Sequence, residues 1–350
     1  MTEVNREKIL IIKSDKIGDF INFSPCLKII KDNLKNSHIT MICSEYNYPI
    51  VKNYKYIDSV VIFKSKYTLI NIFKNYKTLF KDKYNYIFQY DGKNSSYIIS
   101  IFVKAKIRSA ICYIKKKKFL MFNYFIYRPH NIFLKFFKNH ELCYEDYSIY
   151  SHYQSNYIKL LENLNFKVFA KKNLFFLDRA FDSIFNNFYK HIIKNDYILF
   201  HFDEKWDKYN EIDRENILRI INITSQKNNV IITFGIKNFL FEKKLNGIFT
   251  SYNFINNKLI LEKKRSNNKV LLLNNIPLNL LAYFVKNSKK NVSSHAGTIV
   301  HMSPAFGIEF VDIIKKKKNN EYDRWIPLIS NYKRINFEEI NEKYLENFEI

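Results

Sequence analysis

Glycine and proline are scarce in this chain, six of each in 350 residues, and the scarcity argues against several architectures at once. Collagen-like, low-complexity and linker-rich proteins need far more of both. No G-x-G-x-x-G occurs, which weighs against a Rossmann-type dinucleotide enzyme. Cysteine is also rare: Cys26, Cys43, Cys112 and Cys143 stand far apart with no C-x-x-C pair. That spacing argues against a disulfide framework or a zinc site, and a reducing cytoplasm suits it. No stretch reaches the ~20 apolar residues of a membrane-spanning helix. The apolar run in the N-terminal MTEVNREKILIIK is too short for a signal peptide. A soluble or peripheral cytoplasmic protein is expected, and without a fixed-period repeat a solenoid is not.

Acidic residues are the other shortage. Asp and Glu number 33 against 57 Lys and Arg, a net charge of +24, which points to an anionic partner such as nucleic acid, an anionic membrane face or a phosphorylated substrate. An excess of Lys, Asn, Ile, Tyr and Phe is also what a very AT-rich genome encodes, so part of the charge has a trivial origin. What is present in quantity is apolar: 47% of residues are hydrophobic, enough for a globular protein, and the length suits two domains.

Short β-branched runs alternate with helical spacing throughout. Ile9–Ile12, Ile39–Cys43, Val60–Phe63, Tyr84–Tyr90 and Ile107–Ile111 read as strands, with helices over Phe20–Asn33, Tyr97–Lys104 and Tyr147–Leu164. Lys171–Asp196 reads as an irregular boundary. A second series has strands at Tyr197–Phe200, Val230–Phe234, Val270–Leu273, Asn291–Ser294 and, last, Phe310–Ile314. Its helices are expected over Ile212–Ser225, Leu278–Lys286 and from Gly297 to Phe306, with a charged amphipathic helix over Phe337–Phe348. Such alternation predicts parallel sheets covered on both faces. The expected division is a first domain over residues 1–180, a second over 190–335 and a terminal helix over 336–350.

Three places carry candidate chemistry. In ILIIKSDKIGDFINFSP, Gly18 and Asp19 stand where a strand hands over to a helix. There a glycine allows φ > 0 or close approach of a ligand, and the carboxyl edge of a parallel sheet is where open α/β folds bind ligands. A plain turn and helix cap would use the same two residues. Gly297-Thr298 opens a second such junction, whose helix N-terminus suits a diphosphate. Lys205 and Lys208, after a strand end, could neutralise a leaving diphosphate or simply be solvated. Lys115–His140 is basic and aromatic with no acidic residue, fit for a membrane surface or for covering a core. His130, His140 and Cys143 match no standard metal spacing.

These residues resemble those of a known family. ILIIKSDKIGDFINFSPCLKIIK is similar to the N-terminal signature of glycosyltransferase family 9, the lipopolysaccharide heptosyltransferases, whose members open with a strand, an S-x-x-G-D turn and a helix beginning near a T-x-P or S-x-P. NYKYIDSVVIF and YNYIFQYDGKNSSYIISIFVKAKIRSAICY resemble the segments that follow. HFDEKWDKY stands where the family has a K-x-W phosphate-contacting stretch. SSHAGTIVHMSPAFGIEFVDII resembles the donor motif D-[ST]-G-x-x-H-x-x-A-A-x-G, with His295-Ala296-Gly297 in place of Asp-small-Gly and one more residue between Gly297 and His301. The likeness spans about Ile9–Ile314, least over Lys115–His140.

The resemblance implies a GT-B-like α/β fold of two Rossmann-like, doubly wound parallel-sheet domains facing a cleft. It implies an inverting, metal-independent transfer of a heptose or similar sugar, with no cofactor. The donor would be a nucleotide-diphosphate sugar such as ADP-heptose, and the acceptor a glycolipid or lipopolysaccharide core. Asp19 would be the catalytic base, and Gly18, Lys205, His295, Ala296, Gly297, Thr298 and His301 would bind the donor. The basic, aromatic Lys115–His140 run suggests peripheral contact with an anionic inner membrane, and no nucleic-acid partner is expected. The rival reading is a basic nucleic-acid-binding protein without enzymatic activity, which needs basic residues gathered on one face. Here they are spread along both halves.

Overall fold

A computed structural model describes residues 6–64, 74, 76–119, 122–128, 131–144, 152–193, 195–202, 214–235, 249–263, 269–294, 297–316 and 319–340. Lys205, Lys208, His295, Ala296, His130 and residues 341–350 of the expected terminal helix lie outside them.

The chain forms two compact units. The first comprises Met1–Lys171 with Asp323–Leu328, the second Lys172–Tyr322 with Ile329–Ile350. Unit 1 is built on strands β1 (Glu7–Ile12), β2 (Ser37–Ser44), β3 (Ser59–Phe63), β4 (Lys83–Gln89), β5 (Lys104–Phe119), β6 (Phe122–Arg128) and β7 (Asn139–Tyr144), ordered β3-β2-β1-β4-β5-β6 with β7 on β5. All pairs are parallel except β5–β6. Ile9–Ile12 are fully buried, as a strand covered on both faces requires. The helices that matter here are α1 (Ile17–Phe23), α2 (Pro25–Asn33), α3 (Asn94–Phe102) and α4 (Tyr153–Glu162). The single helix expected over Phe20–Asn33 is broken at Ser24, because Pro25 starts a new helix at its first turn.

Unit 2 adds β8 (Tyr197–Phe202), β9 (Asn229–Phe234), β10 (Thr250–Ile255), β11 (Lys258–Lys263), β12 (Val270–Asn274), β13 (Lys290–Ser293), β14 (Phe310–Ile314) and β15 (Tyr332–Asn336), ordered β11-β10-β12-β9-β8-β13-β14-β15. Only β10–β11 is antiparallel. Helices α5 (Asp182–Phe188), α6 (Arg214–Lys227), α7 (Leu278–Asn287) and α8 (Ile299–Phe306) belong to it.

Four expectations are corrected. Phe310–Ile314 is not the last strand: β15 pairs with it, and Ile335 and Ile340 join the unit's core. The β10–β11 hairpin was not expected, although Asn256 and Asn257, both at positive φ (48° and 59°), are the turn residues such a hairpin demands. The Lys171–Asp196 stretch is partly helical, since Phe185 stacks on Tyr283 and both Phe185 and Phe188 pack edge-on against Phe284 of α7. Much of Lys115–His140 continues the sheet as the end of β5, β6 and the start of β7.

Candidate active site

Among the described residues of unit 1, a buried polar cluster sits at the carboxyl ends of β1, β2 and β4. Immediately after buried Ile12 the chain places Lys13, whose backbone N–H extends the ladder to the Ile42 carbonyl at 3.0 Å. Its side chain has no solvent exposure. The ammonium donates to Asp15 Oδ2 at 2.7 Å, Tyr157 Oη at 2.9 Å and the Tyr90 carbonyl at 3.2 Å, and lies 4.4 Å from the Tyr157 ring centre. Burial works against its charge, but Asp15 and, less strongly, Tyr157 and Asp19 hold it above the ordinary lysine range. A buried cation persists only when paired in this way.

Asp91, also fully buried, ties the loop after β4 to the loop after β1. It accepts from Ser14 N–H (3.1 Å), Ser14 Oγ (2.5 Å), Gln89 Nε2 (2.7 Å), Lys93 N–H (3.1 Å) and Ser96 Oγ (3.0 Å). Burial and then Asp15 push its carboxyl upward, against those donors. Lys93 Nζ returns to the Ser14 carbonyl and hydroxyl, and Asn47 holds the Asp15 carbonyl at 2.7 Å. Next to Asp91, a Cβ on Gly92 would fall 2.9 Å from the Tyr113 ring, so that position needs glycine for close packing.

Asp19 lies in the first turn of α1, partly exposed, with Oδ2 accepting the Lys16 N–H at 3.4 Å. Burial lifts its carboxyl to about 6, Lys13 opposing and Asp15 adding to the rise. A carboxyl titrating there is a base at neutral pH and a stronger proton acceptor than an ordinary aspartate. Gly18 beside it is buried within α1 and has no positive φ. Of the two uses expected of a glycine at this turn, positive φ is therefore not the one made here. One turn on, Asn22 is fully buried and neither of its amide atoms has a hydrogen-bond partner.

In unit 2 the carboxyl ends of β8, β9, β12 and β13 carry a buried polar layer of His201, Thr233, Asn274 and Ser293. His201 Nδ1 shares a 2.8 Å hydrogen bond with Thr233 Oγ1, and Ser293 Oγ donates to the His201 carbonyl at 2.7 Å. Burial pushes the His201 imidazole down to about 4, which keeps it neutral. Thr298 stands at the N-terminal boundary of α8 without a side-chain capping hydrogen bond, Gly297 precedes it, and His301 is buried one turn in. A Cβ on Gly297 would meet no atom of the described residues within 4 Å, so packing among them does not itself require glycine there. Among the described residues no group of three or more His, Cys, Asp or Glu could hold a metal ion, and no helix is long and apolar enough to cross a membrane.

The structure thus gathers Asp19 and Gly18 with partners that the sequence did not single out as a site: Lys13, Asp15, Asp91, Lys93 and Tyr157. Gly297, Thr298 and His301 lie at the start of α8 in unit 2, and His201, at the end of β8, was not singled out from the sequence. A lysine directly after four buried apolar residues is the one local signal that could have marked Lys13.

The architecture places the chain in the GT-B class of two-domain α/β proteins. Among solved structures it is similar to a family 9 glycosyl transferase from Veillonella parvula, with a TM-score of 0.72, 13% identity and coverage of 96% of this chain and 87% of that one. It is also similar to the E. coli heptosyltransferase WaaC with ADP (TM-score 0.65, 11% identity, 97% and 98% covered). The E. coli ADP-heptose LPS heptosyltransferase II aligns comparably (TM-score 0.63, 12% identity, 97% and 96% covered). At such identities the likeness is one of fold. No family model and no characterised relative matches the sequence.

Proposed function

We propose that the protein is a glycosyltransferase that moves a sugar, a heptose or a similar one, from a nucleotide-diphosphate donor to a cell-surface glycan or glycolipid acceptor. The observation that carries the reading is Asp19: a carboxyl at the carboxyl edge of a parallel sheet, raised to about 6 and set against a buried lysine. Asp19 removes the proton of the acceptor hydroxyl as that oxygen attacks the anomeric carbon, and the sugar is transferred with inversion. Lys13 keeps the carboxylate ionised near neutrality, while Asp91, Ser14 and Lys93 hold the loop that presents it.

The diphosphate is assigned to unit 2. No described residue lies within 4 Å of a Cβ built on Gly297 at the start of α8, and the N-terminal end of that helix with its dipole suits an anion. Lys205, His295, Ala296, Thr298 and His301 are assigned to the same ligand on the motif resemblance. The leaving diphosphate is neutralised by lysine and helix N–H groups, so the reaction needs neither metal nor cofactor. ADP-bound heptosyltransferase structures support a nucleotide sugar as the donor class. The enzyme works at the cytoplasmic side of the membrane.

A thermal-shift screen of nucleotide-diphosphate sugars identifies the donor. Asp19→Asn then tests the base. The amide keeps an oxygen for the Lys16 N–H but takes up no proton, so donor binding should persist while transfer falls by ~10²–10⁴. Near-normal transfer would falsify the role of Asp19.

A further inference from the structure

β5 is much longer than the strands beside it. Its pairing with β4 ends at Ala110 and its pairing with β7 at Ile114. From Lys115 to Phe119 its partner among the described strands is β6 alone, in antiparallel register. Because β5 runs parallel to β1 and β4, these residues form a two-stranded ribbon that continues past the edge where Asp19 and Asp91 lie. At ~3.3 Å per residue the ribbon extends about 15 Å. Lys115, Lys116 and Lys117 are all exposed. Side chains alternate along a strand, so Lys115 and Lys117 occupy one face and Lys116 the other. On that second face Lys116 stands opposite Phe125, which is 47% exposed. No Asp or Glu occurs between Asp91 and Glu141, so nothing acidic in the segment offsets the charge.

We infer that the β5–β6 ribbon docks unit 1 end-on on an anionic lipid bilayer, so that the lysines of both its faces meet headgroup phosphates while Phe125 enters the interface. The inference deepens the proposed function and rests on it for the purpose of docking: a lipid-linked acceptor is presented at a bilayer, and the ribbon leaves the sheet on the edge that carries the base. Lysines favour this occupant over nucleic acid. An ammonium on a flexible stem suits a diffuse layer of headgroup charge, whereas bidentate reading of a phosphodiester backbone favours arginine. An exposed phenylalanine among lysines is the composition of an interfacial anchor.

The test is co-sedimentation of the full chain with vesicles of phosphatidylcholine alone and of phosphatidylcholine with phosphatidylglycerol, at low and physiological salt. The parent should partition onto anionic vesicles and come off as salt rises. Each lysine is worth about a fivefold change in partitioning, so K115Q/K116Q/K117Q should lose about a hundredfold, while Phe125→Ser weakens binding at both salts. An unchanged melting temperature establishes that the exposed triple variant is folded. Equal retention on neutral and anionic vesicles, or parental binding by the triple variant, overturns the inference. So does lysine-dependent binding of single-stranded RNA with no vesicle binding, which would assign the ribbon to nucleic acid. Asp19→Asn should sediment like the parent, so the catalytic reading and the docking reading fail separately.

Discussion

Replacing Lys13 with methionine keeps the length and apolar body of the side chain and removes only its charge and donors. In the parent that ammonium is fully buried, 2.7 Å from Asp15 and bonded to Tyr157 and the Tyr90 carbonyl. Its loss leaves Asp15 and Asp19 without their buried counter-ion and the Tyr90 carbonyl without that donor. Removing one partner of a buried pair costs about 3–5 kcal/mol. Asp15 keeps some contact with solvent, with 18% of its side chain exposed, which places the expectation at the lower end, about 3 kcal/mol. For a domain of this size that is a fall in Tm of roughly 6–12 °C. The pH dependence is specific. Lys13 holds the Asp19 carboxyl down, so its removal lets that carboxyl rise above about 6, and the lower limb of a pH–rate profile should move to higher pH. The stability loss should be largest near pH 8, where Asp19 is ionised, and shrink as it takes up a proton in acid. Chemical denaturation at pH 5 and pH 8 measures this, with K13M/D15N as the partner in a double-mutant cycle. A loss below 1 kcal/mol at pH 8, or a loss no smaller at pH 5, would refute the argument that Lys13 is there to balance carboxylates.

Other expectations follow from the same geometry. His201 is held neutral with its imidazole near 4. Below the unfolded value of about 6.5 the unfolded chain binds a proton that the native state refuses, so stability falls as pH drops from about 6.5 to 4. H201Q should flatten that acid limb in a pH series of melts, and an unchanged limb would count against it. Gly92→Ala drives a methyl into the Tyr113 ring, whose hydroxyl is bonded to the Tyr90 carbonyl and Tyr157, and should cost about 1–3 kcal/mol. Gly297→Ala meets no atom of the described residues and should cost less than about 1 kcal/mol of stability while weakening nucleotide-diphosphate binding in calorimetry. Unaltered affinity would remove the diphosphate from that junction.

The two parallel sheets were legible because fully buried strands are written as unbroken apolar runs, as in Ile9–Ile12 and Val270–Leu273, and the helices between them keep a 3.6-residue period. Asp19 was legible as well, since a strand, a polar turn and an apolar-periodic helix fall within a dozen residues. The β10–β11 hairpin was missed because its Asn-Asn turn was not weighed, and β15 because its one deeply buried side chain, Ile335, stands among polar neighbours.

Sequence alone therefore determined what depends on neighbours in the chain: strand and helix types, the parallel architecture, and the carboxylate at the first helix turn. Tertiary structure decided the company that carboxylate keeps. Lys13 and Tyr157 are 144 positions apart and Ser14 and Asp91 are 77 apart, yet each pair is hydrogen-bonded. No local pattern announces such pairs, because the burial that makes a lysine demand a counter-ion exists only once the sheet has brought the ends of β1, β2 and β4 together. The ribbon has the same origin. Four lysines in a row are a charged run in the sequence, and they project from the sheet only because β4 and β7 stop where β5 does not.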